Sequence, residues 1–130
     1  MNFPKELKYS KSHEYIKVEG NKATIGITSY ASNELGDVVF IELPDIGKSF
    51  NSGDKFGVVE SVKSVSDLYI PVSGKIVEIN KELSDHPEYV NQDPYGKGWM
   101  IKIELTKSLD ENKELISPEE YSKFVLANAH

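Results

Sequence analysis

Apolar and polar positions alternate along most of this chain in runs too short for anything but strands. In residues 22–28, Ala23, Ile25 and Ile27 alternate with Lys22, Thr24 and Gly26. That two-residue period is the mark of a half-buried strand. A first strand begins at Glu14 and passes through Tyr15, Lys17 and Val18 to a turn at Glu19-Gly20-Asn21. Residues 37–43 are rich in β-branched and aromatic side chains and stop at Pro44 and Gly47. Asn51-Ser52-Gly53-Asp54 is a second turn, with strands expected over 55–62 and 66–70. Pro71-Val72-Ser73-Gly74 turns the chain into a strand over 75–80. Trp99, Ile101, Ile103 and Leu105 share one face of a last strand, with Trp99 expected to anchor the core.

Helical signals are confined to the edges. Thr28-Ser29 can cap a short helix over 30–35 that stops at Gly36. Ser117 reads as an N-cap, Pro118 as the first helical residue and Glu120 as the capping-box partner. Tyr121, Phe124 and Val125 then share one face of that terminal helix. A helical turn is expected over 110–116. Residues 81–98, punctuated by Pro87, Pro94, Gly96 and Gly98, are expected to be loop with one short helical turn over 87–90. Residues 1–12 are expected to lie on the domain as an arm. The sum is an all-β barrel or sandwich, one domain over 1–130, with no βαβ alternation and hence no Rossmann-type nucleotide fold.

Composition narrows the chemistry. The 130 residues hold 15 lysines, no arginine and no cysteine, against 21 acids. A thiolate nucleophile, a disulfide framework and a cysteine-type zinc site are therefore excluded. The net charge of −6 argues against nucleic acid and anionic membranes, and suits a partner with a basic face. Apolar runs are too short to span a bilayer, and the first residues lack a secretory or Arg-rich transit pattern. A soluble intracellular protein, monomeric, is expected. His13-Glu14 lacks the second histidine that a metal site needs, so no metal is expected. No Gly-x-Ser-x-Gly elbow is present to support a hydrolase. Asp93-Pro94-Tyr95-Gly96 reads first as a turn.

One lysine is placed differently from the rest. Lys63 lies 10 residues after Gly53 and 11 before Gly74, near the reversal of two strands of similar length. Ser61, Ser64 and Ser66 are small and leave it unobstructed, and no other lysine falls between residues 56 and 74. An isolated amine on a rigid tip suits attachment of a carried group, which a tether then delivers to several sites. A solvated hairpin lysine is the commoner reading, and spacing alone does not name the group. A Schiff-base role needs a desolvated amine, which a tip does not provide.

The segment Glu60-Ser61-Val62-Lys63-Ser64-Val65-Ser66-Asp67 closely resembles the lipoyl-attachment segment of the glycine cleavage system H protein family. The resemblance extends over nearly the whole chain. It includes Ser12-His13-Glu14-Tyr15 (the family more often has Trp where Tyr15 stands), the stretch from Leu35 to Pro44 with Gly47, Pro71-Val72-Ser73-Gly74, Asp93-Pro94-Tyr95 and Gly98-Trp99. It implies a barrel-sandwich hybrid with short peripheral helices and a C-terminal helix, and lipoate bound covalently on Lys63. It implies a carrier without a catalytic base of its own, since the cofactor holds the hard chemistry. Its implied partners are a pyridoxal-phosphate glycine decarboxylase, a tetrahydrofolate-dependent aminomethyltransferase, a flavin dihydrolipoamide dehydrogenase, and a lipoate ligase or lipoyl transferase. Gly47, Glu60, Asp67 and Gly74 match positions tied to the hairpin's shape and to lipoylation. Ser12, Glu14 and Asp67 match positions where the loaded arm is parked. Some members have His where this chain has Glu34. Taken singly, Glu14 and Asp67 read as ordinary surface acids. The resemblance places the protein in a bacterial cytoplasm, or in the mitochondrial matrix for a mature eukaryotic chain. The alternatives are an H-like protein relaying lipoate to other complexes and a biotin carrier, the latter disfavoured because Val62 and Ser64 stand where biotin segments have Met.

Overall fold

The structure, a computed structural model, describes residues 3–107 and 115–128. Nine strands and three short α-helices appear among them: β1 (Lys8–Tyr9), β2 (Glu14–Glu19), β3 (Lys22–Ile27), α1 (Ser29–Leu35), β4 (Val38–Glu42), β5 (Ser49–Phe50), β6 (Lys55–Ser61), β7 (Val65–Tyr69), β8 (Gly74–Ile79), α2 (Tyr89–Gln92), β9 (Ile101–Leu105) and α3 (Pro118–Asn128). The strands form two antiparallel sheets, one ordered β1-β2-β3-β9-β8-β5 and one ordered β4-β6-β7. The alternation read from the sequence decides which side chains fill the space between them. Ile16, Ile25 and Ile27 meet Ile76, Ile101 and Ile103 of the large sheet and Ile41, Val59 and Leu68 of the small one. Ile25, Ile76, Ile101 and Ile103 are fully buried, each worth roughly 1.5–3 kcal/mol of transfer free energy.

A second, smaller cluster lies outside the barrel. Leu7, Tyr9 and Tyr15 pack against Tyr121 and Val125 of α3. The Tyr9 and Tyr121 rings stack at 4.8 Å, and Phe3 meets Tyr121 edge-on. The N-terminal segment is therefore more than an arm. Lys8 and Tyr9 pair with Ile16 and Tyr15, and Tyr9 exchanges backbone hydrogen bonds with Ile116. Two residues are too short a strand to show a period.

The caps read from the sequence are in place. Thr28 accepts from the Ala31 N–H at the start of α1, and the helix ends at Gly36. Ser117 accepts from the Glu120 N–H, and Glu120 reaches back to Ser117, as a capping box does. Two expectations need correction. Residues 81–98 contain two helical turns, a 3₁₀ turn at Lys81–Ser84 capped by Asn80 and then α2, rather than one over 87–90. Trp99 does not anchor the core: it is half-buried, with Lys102 Nζ 4.9 Å from its ring, while Met100 is fully buried. Asn80 holds the carbonyls of Lys97 and Trp99 at 2.8 Å, so regular pairing begins only at Ile101 and the two-residue period does not reach back to Trp99. The turn expected over 110–116 lies outside the described residues except at its end, where Ile116 bridges to Tyr9.

Candidate functional site: a hairpin lysine beside an acid-floored cleft

β6 and β7 form a hairpin whose tip is Val62-Lys63-Ser64. The tip is held by a side chain that also keeps it small. Ser61 is buried; its N–H donates to the Ser64 carbonyl (2.8 Å), and its hydroxyl accepts from the Ser64 N–H (3.1 Å) and the Lys63 N–H (3.3 Å). The Val62 N–H donates to the Asp37 carbonyl (3.0 Å), which ties the tip to the loop after α1. Lys63 is exposed and, among the described residues, has no ion-pair partner. Its Cε lies 3.7 Å from where a Cβ on Gly36 would stand, so the stem crosses the end of α1.

A cleft of about 290 Å³ opens between α1, residues 12–14 and the β6–β7 hairpin. Leu35 lines it, and the next residue is the Gly36 that lies under Lys63. Ile27, Leu35, Val59 and Leu68 supply an apolar wall, and Ser12, His13, Glu14, Glu34, Ser66 and Asp67 supply polar groups. Glu14 is the unusual member. It is 1% exposed, and its carboxylate accepts from the Ser10 hydroxyl (2.7 Å), the Ser12 hydroxyl and the Tyr69 N–H (3.4 Å). Burial raises its pKa to about 7 against the opposing pull of those hydrogen bonds. Among the described residues no cation pairs with it. Asp67, by contrast, is exposed; it lies 3.1 Å from Lys55 Nζ and lines the same cleft.

The segment that presents Glu14 is clamped from behind. His13 has φ +73°, a left-handed conformation uncommon for a residue with a Cβ. Its Nδ1 lies 2.8 Å from the Tyr121 hydroxyl, which lies 2.8 Å from Thr28 Oγ1. Burial lowers the His13 pKa, with Glu34 opposing, which favours the neutral ring. The C-terminal helix, the α1 cap and the cleft segment are thus joined through one phenol.

The other residues singled out from the sequence fall elsewhere. Glu60 lies on the outer face of the small sheet, paired with Phe40 and Val65. Gly47 and Gly74 lie outside the hairpin, where the chain around β5 meets β8 of the large sheet. Gly47 has φ +96°, which a side chain would strain, and donates to the Ile76 carbonyl. A Cβ on Gly74 would stand 2.8 Å from the Glu104 carbonyl oxygen, as well as 2.7 Å from Ile103 Cδ1, so β8 can approach β9 only without one. Tyr95 accepts from the Ser29 N–H and secures the start of α1. Sequence reading missed Ser10, the Tyr121 clamp and the Ser61 tie. The spacing Ser10, Ser12, Glu14 was the available signal for the first.

A barrel-sandwich fold with one exposed lysine at a braced hairpin tip, beside a cleft sized for a tethered group, is the architecture of a swinging-arm carrier. The comparisons narrow that class. Residues 7–128 match the family model described as glycine cleavage H-protein. A glycine cleavage system H protein from Carboxydothermus hydrogenoformans is 60% identical over 122 residues, covering 94% of this chain and 93% of that protein. One from Staphylococcus saprophyticus is 58% identical over 125 residues, covering 96% and 98%. The crystal structure of a glycine cleavage system H protein from Mycobacterium marinum matches with a TM-score of 0.84 at 36% identity, covering 98% of this chain and all of that one. This chain belongs to the glycine cleavage H-protein family: it is a lipoyl-carrier component of the glycine cleavage system and not itself a catalyst. Among the described residues, no helix is long and apolar enough to cross a membrane.

Proposed function

We propose that residues 1–130 act as one carrier unit with lipoate in amide linkage to Lys63 Nζ, and that the cleft floored by Glu14 holds the loaded end of the arm. The observation that supports this most strongly is the pairing of opposites at one site. Among the described residues, an amine with no ion-pair partner stands in water at the tip, and a carboxylate with none is buried in the adjacent cleft. The residues fit the group: the tip is narrow and open, and Ser61 holds its backbone rigid without occupying the space around the amine. Lipoate bound there supplies the pair of sulfurs that accepts and releases an aminomethyl group, chemistry that a chain without cysteine cannot provide.

The chain's own residues do the rest. Amide formation removes the Lys63 charge, which lowers the cost of placing the arm in an apolar cleft. Glu14 offers its carboxylate to a cationic amine, and a cation there favours the ionised form that burial disfavours. Ser10 and Ser12 both donate to Oε1, and the Tyr69 N–H to Oε2, which holds the carboxylate in place. Asp67 adds a second acid at the cleft rim, and Glu34 a third where some members have His. Ile27, Leu35 and Val59 screen the group from water. Glu60 in the hairpin and Gly47 and Gly74 outside it shape the surface that the attaching enzyme reads. The partners are those of the glycine cleavage system: the pyridoxal-phosphate decarboxylase, the folate-dependent aminomethyltransferase and the flavin dehydrogenase, with a lipoate ligase or lipoyl transferase upstream. The bacterial sources of the relatives support a cytoplasmic location.

The test is direct. Incubation of the protein with lipoate, ATP and a lipoate ligase, followed by intact mass and peptide mapping, gives one lipoyl increment on Lys63 and none in Lys63→Ala. An unmodified wild type, under conditions that load a control carrier, overturns the assignment.

A further inference from the structure

The outer face of the small sheet is apolar where it meets the tip. Val39, Phe40, Val62 and Val65 are each more than half exposed. Two of them are consecutive because the register shifts between Val38 and Phe40, a bulge that turns both Val39 and Phe40 outward. Phe40, Glu60 and Val65 pair across the three strands in one row; the next row is Glu42, Val58 and Asp67. The face is thus an apolar strip against the tip, with a carboxylate at its centre and two more behind it. Exposed apolar side chains are ordinary when scattered, but a contiguous group marks a contact surface.

The reach of the lysine says which partner covers it. Before modification the amine stands only five single bonds from its Cα, roughly 6 Å. An enzyme that acylates Lys63 must bring its reactive carbonyl to that amine, so it sits directly on the tip. A specific interface covers about 800 Å² on each partner, far more than one side chain. The cover must spread onto a neighbouring surface, and the strip beside Val62 and Val65 is continuous with the tip. Enzymes that meet the loaded arm reach it at a distance and need no such closeness.

We infer that Val39, Phe40, Val62 and Val65, with Glu60, form the docking surface for the lipoate-attaching enzyme, which meets them with an apolar recess rimmed by cationic side chains. Glu60 at the centre of the face and Glu42 behind it, with Asp67 already paired to Lys55, put the cationic side of the contact on the partner, and with no arginine in this chain any guanidinium there is the partner's. This rests on Lys63 being the attachment site.

The test compares kcat/KM for attachment by a purified lipoate ligase, with lipoate and ATP, on the full chain. Phe40→Ser and Val65→Ser are expected to lower it about tenfold or more, chiefly through KM, as loss of an anchor residue does. Phe40→Met keeps a large apolar side chain and is expected to stay within about twofold of wild type. Ile46→Ser and Leu126→Ser remove exposed apolar groups outside the strands of the small sheet and serve as controls. Unchanged far-UV spectra and melting temperatures establish that the variants are folded. Wild-type kinetics in both Phe40→Ser and Val65→Ser overturn the docking surface and leave the Lys63 assignment standing. A wild type that is not modified at Lys63 overturns both. Variants that attach lipoate normally but, once loaded, fail with the glycine decarboxylase give the face to that enzyme, and this also overturns the inference.

Discussion

Among the described residues, neither the amine at the hairpin tip nor the carboxylate at the cleft floor has an ion-pair partner, yet their surroundings are opposite. Lys63 stands in water on a turn fixed by Ser61. Glu14 stands out of water on a segment fixed by His13 and Tyr121. A free ammonium in water has little cost and is accessible to an enzyme, so the tip suits attachment. A buried carboxylate is unfavourable unless something compensates it, so the cleft suits a cation. The same device, a serine hydroxyl against the backbone or a carboxylate, braces both. The difference teaches that burial, rather than residue type, separates the proposed point of attachment from the proposed point of retention.

The comparison breaks most visibly at the tip. Lys63→Ala is expected to abolish lipoyl attachment completely while changing unfolding free energy by no more than about 0.5 kcal/mol, because it removes an exposed, unpaired side chain. Intact mass and a urea titration read the two effects. A large loss of stability would show that the lysine braces the hairpin instead.

At the floor, the effect is on pH dependence. Below pH 4.5 Glu14 is protonated in both folded and unfolded chains. As pH rises from 4.5 to about 7 the unfolded chain releases this proton while the folded chain retains it, so stability falls through that window and levels off above it. The full drop is on the order of 3 kcal/mol at 1.36 kcal/mol per pKa unit. Glu14→Gln is expected to flatten that part of the profile, read by denaturant unfolding of wild type and variant at pH 4.5, 6 and 8. A parallel pair of profiles would remove Glu14 from its assigned place.

Behind the floor, Tyr121→Phe takes away the hydroxyl that meets both His13 and Thr28. The expected loss is about 1–3 kcal/mol for buried polar groups left unpaired. Amide exchange should quicken at Thr28 and Glu14, at the ends of that clamp, and not at the tip. The smallest effect is at the rim. Asp67→Asn breaks an exposed pair with Lys55, and its expected cost is about 0.2–1 kcal/mol, reduced further by salt.

The tip was legible in the sequence because its signals are local. Turn residues at Gly53 and Gly74 bracket Lys63, and the alternation of the flanking strands sets its place. The α1 and α3 caps were legible for the same reason. The floor was not, because the burial of Glu14 comes from Tyr69 of β7, from Ser10 and from the α3 clamp, all brought together by the fold. A carboxylate followed by a tyrosine carries no mark of burial. Trp99 misled for a related reason: the period of β9 is correct, but Asn80 interrupts it one residue before the largest side chain. Gly74 reads as a turn residue, whereas its firmest constraint is the Glu104 backbone carbonyl on the adjacent strand.

The division between tip and floor is tested most directly by the time for which a loaded aminomethyl group stays on the protein. Wild type, Glu14→Gln and Asp67→Asn, lipoylated to the same extent, loaded from isotope-labelled glycine by the glycine decarboxylase with release of carbon dioxide and then separated from it, are followed by intact mass at pH 8. The buried carboxylate contributes a charge-assisted contact, so loss from Glu14→Gln should be about tenfold faster or more, with Asp67→Asn between it and wild type. Equal rates for all three would contradict the account.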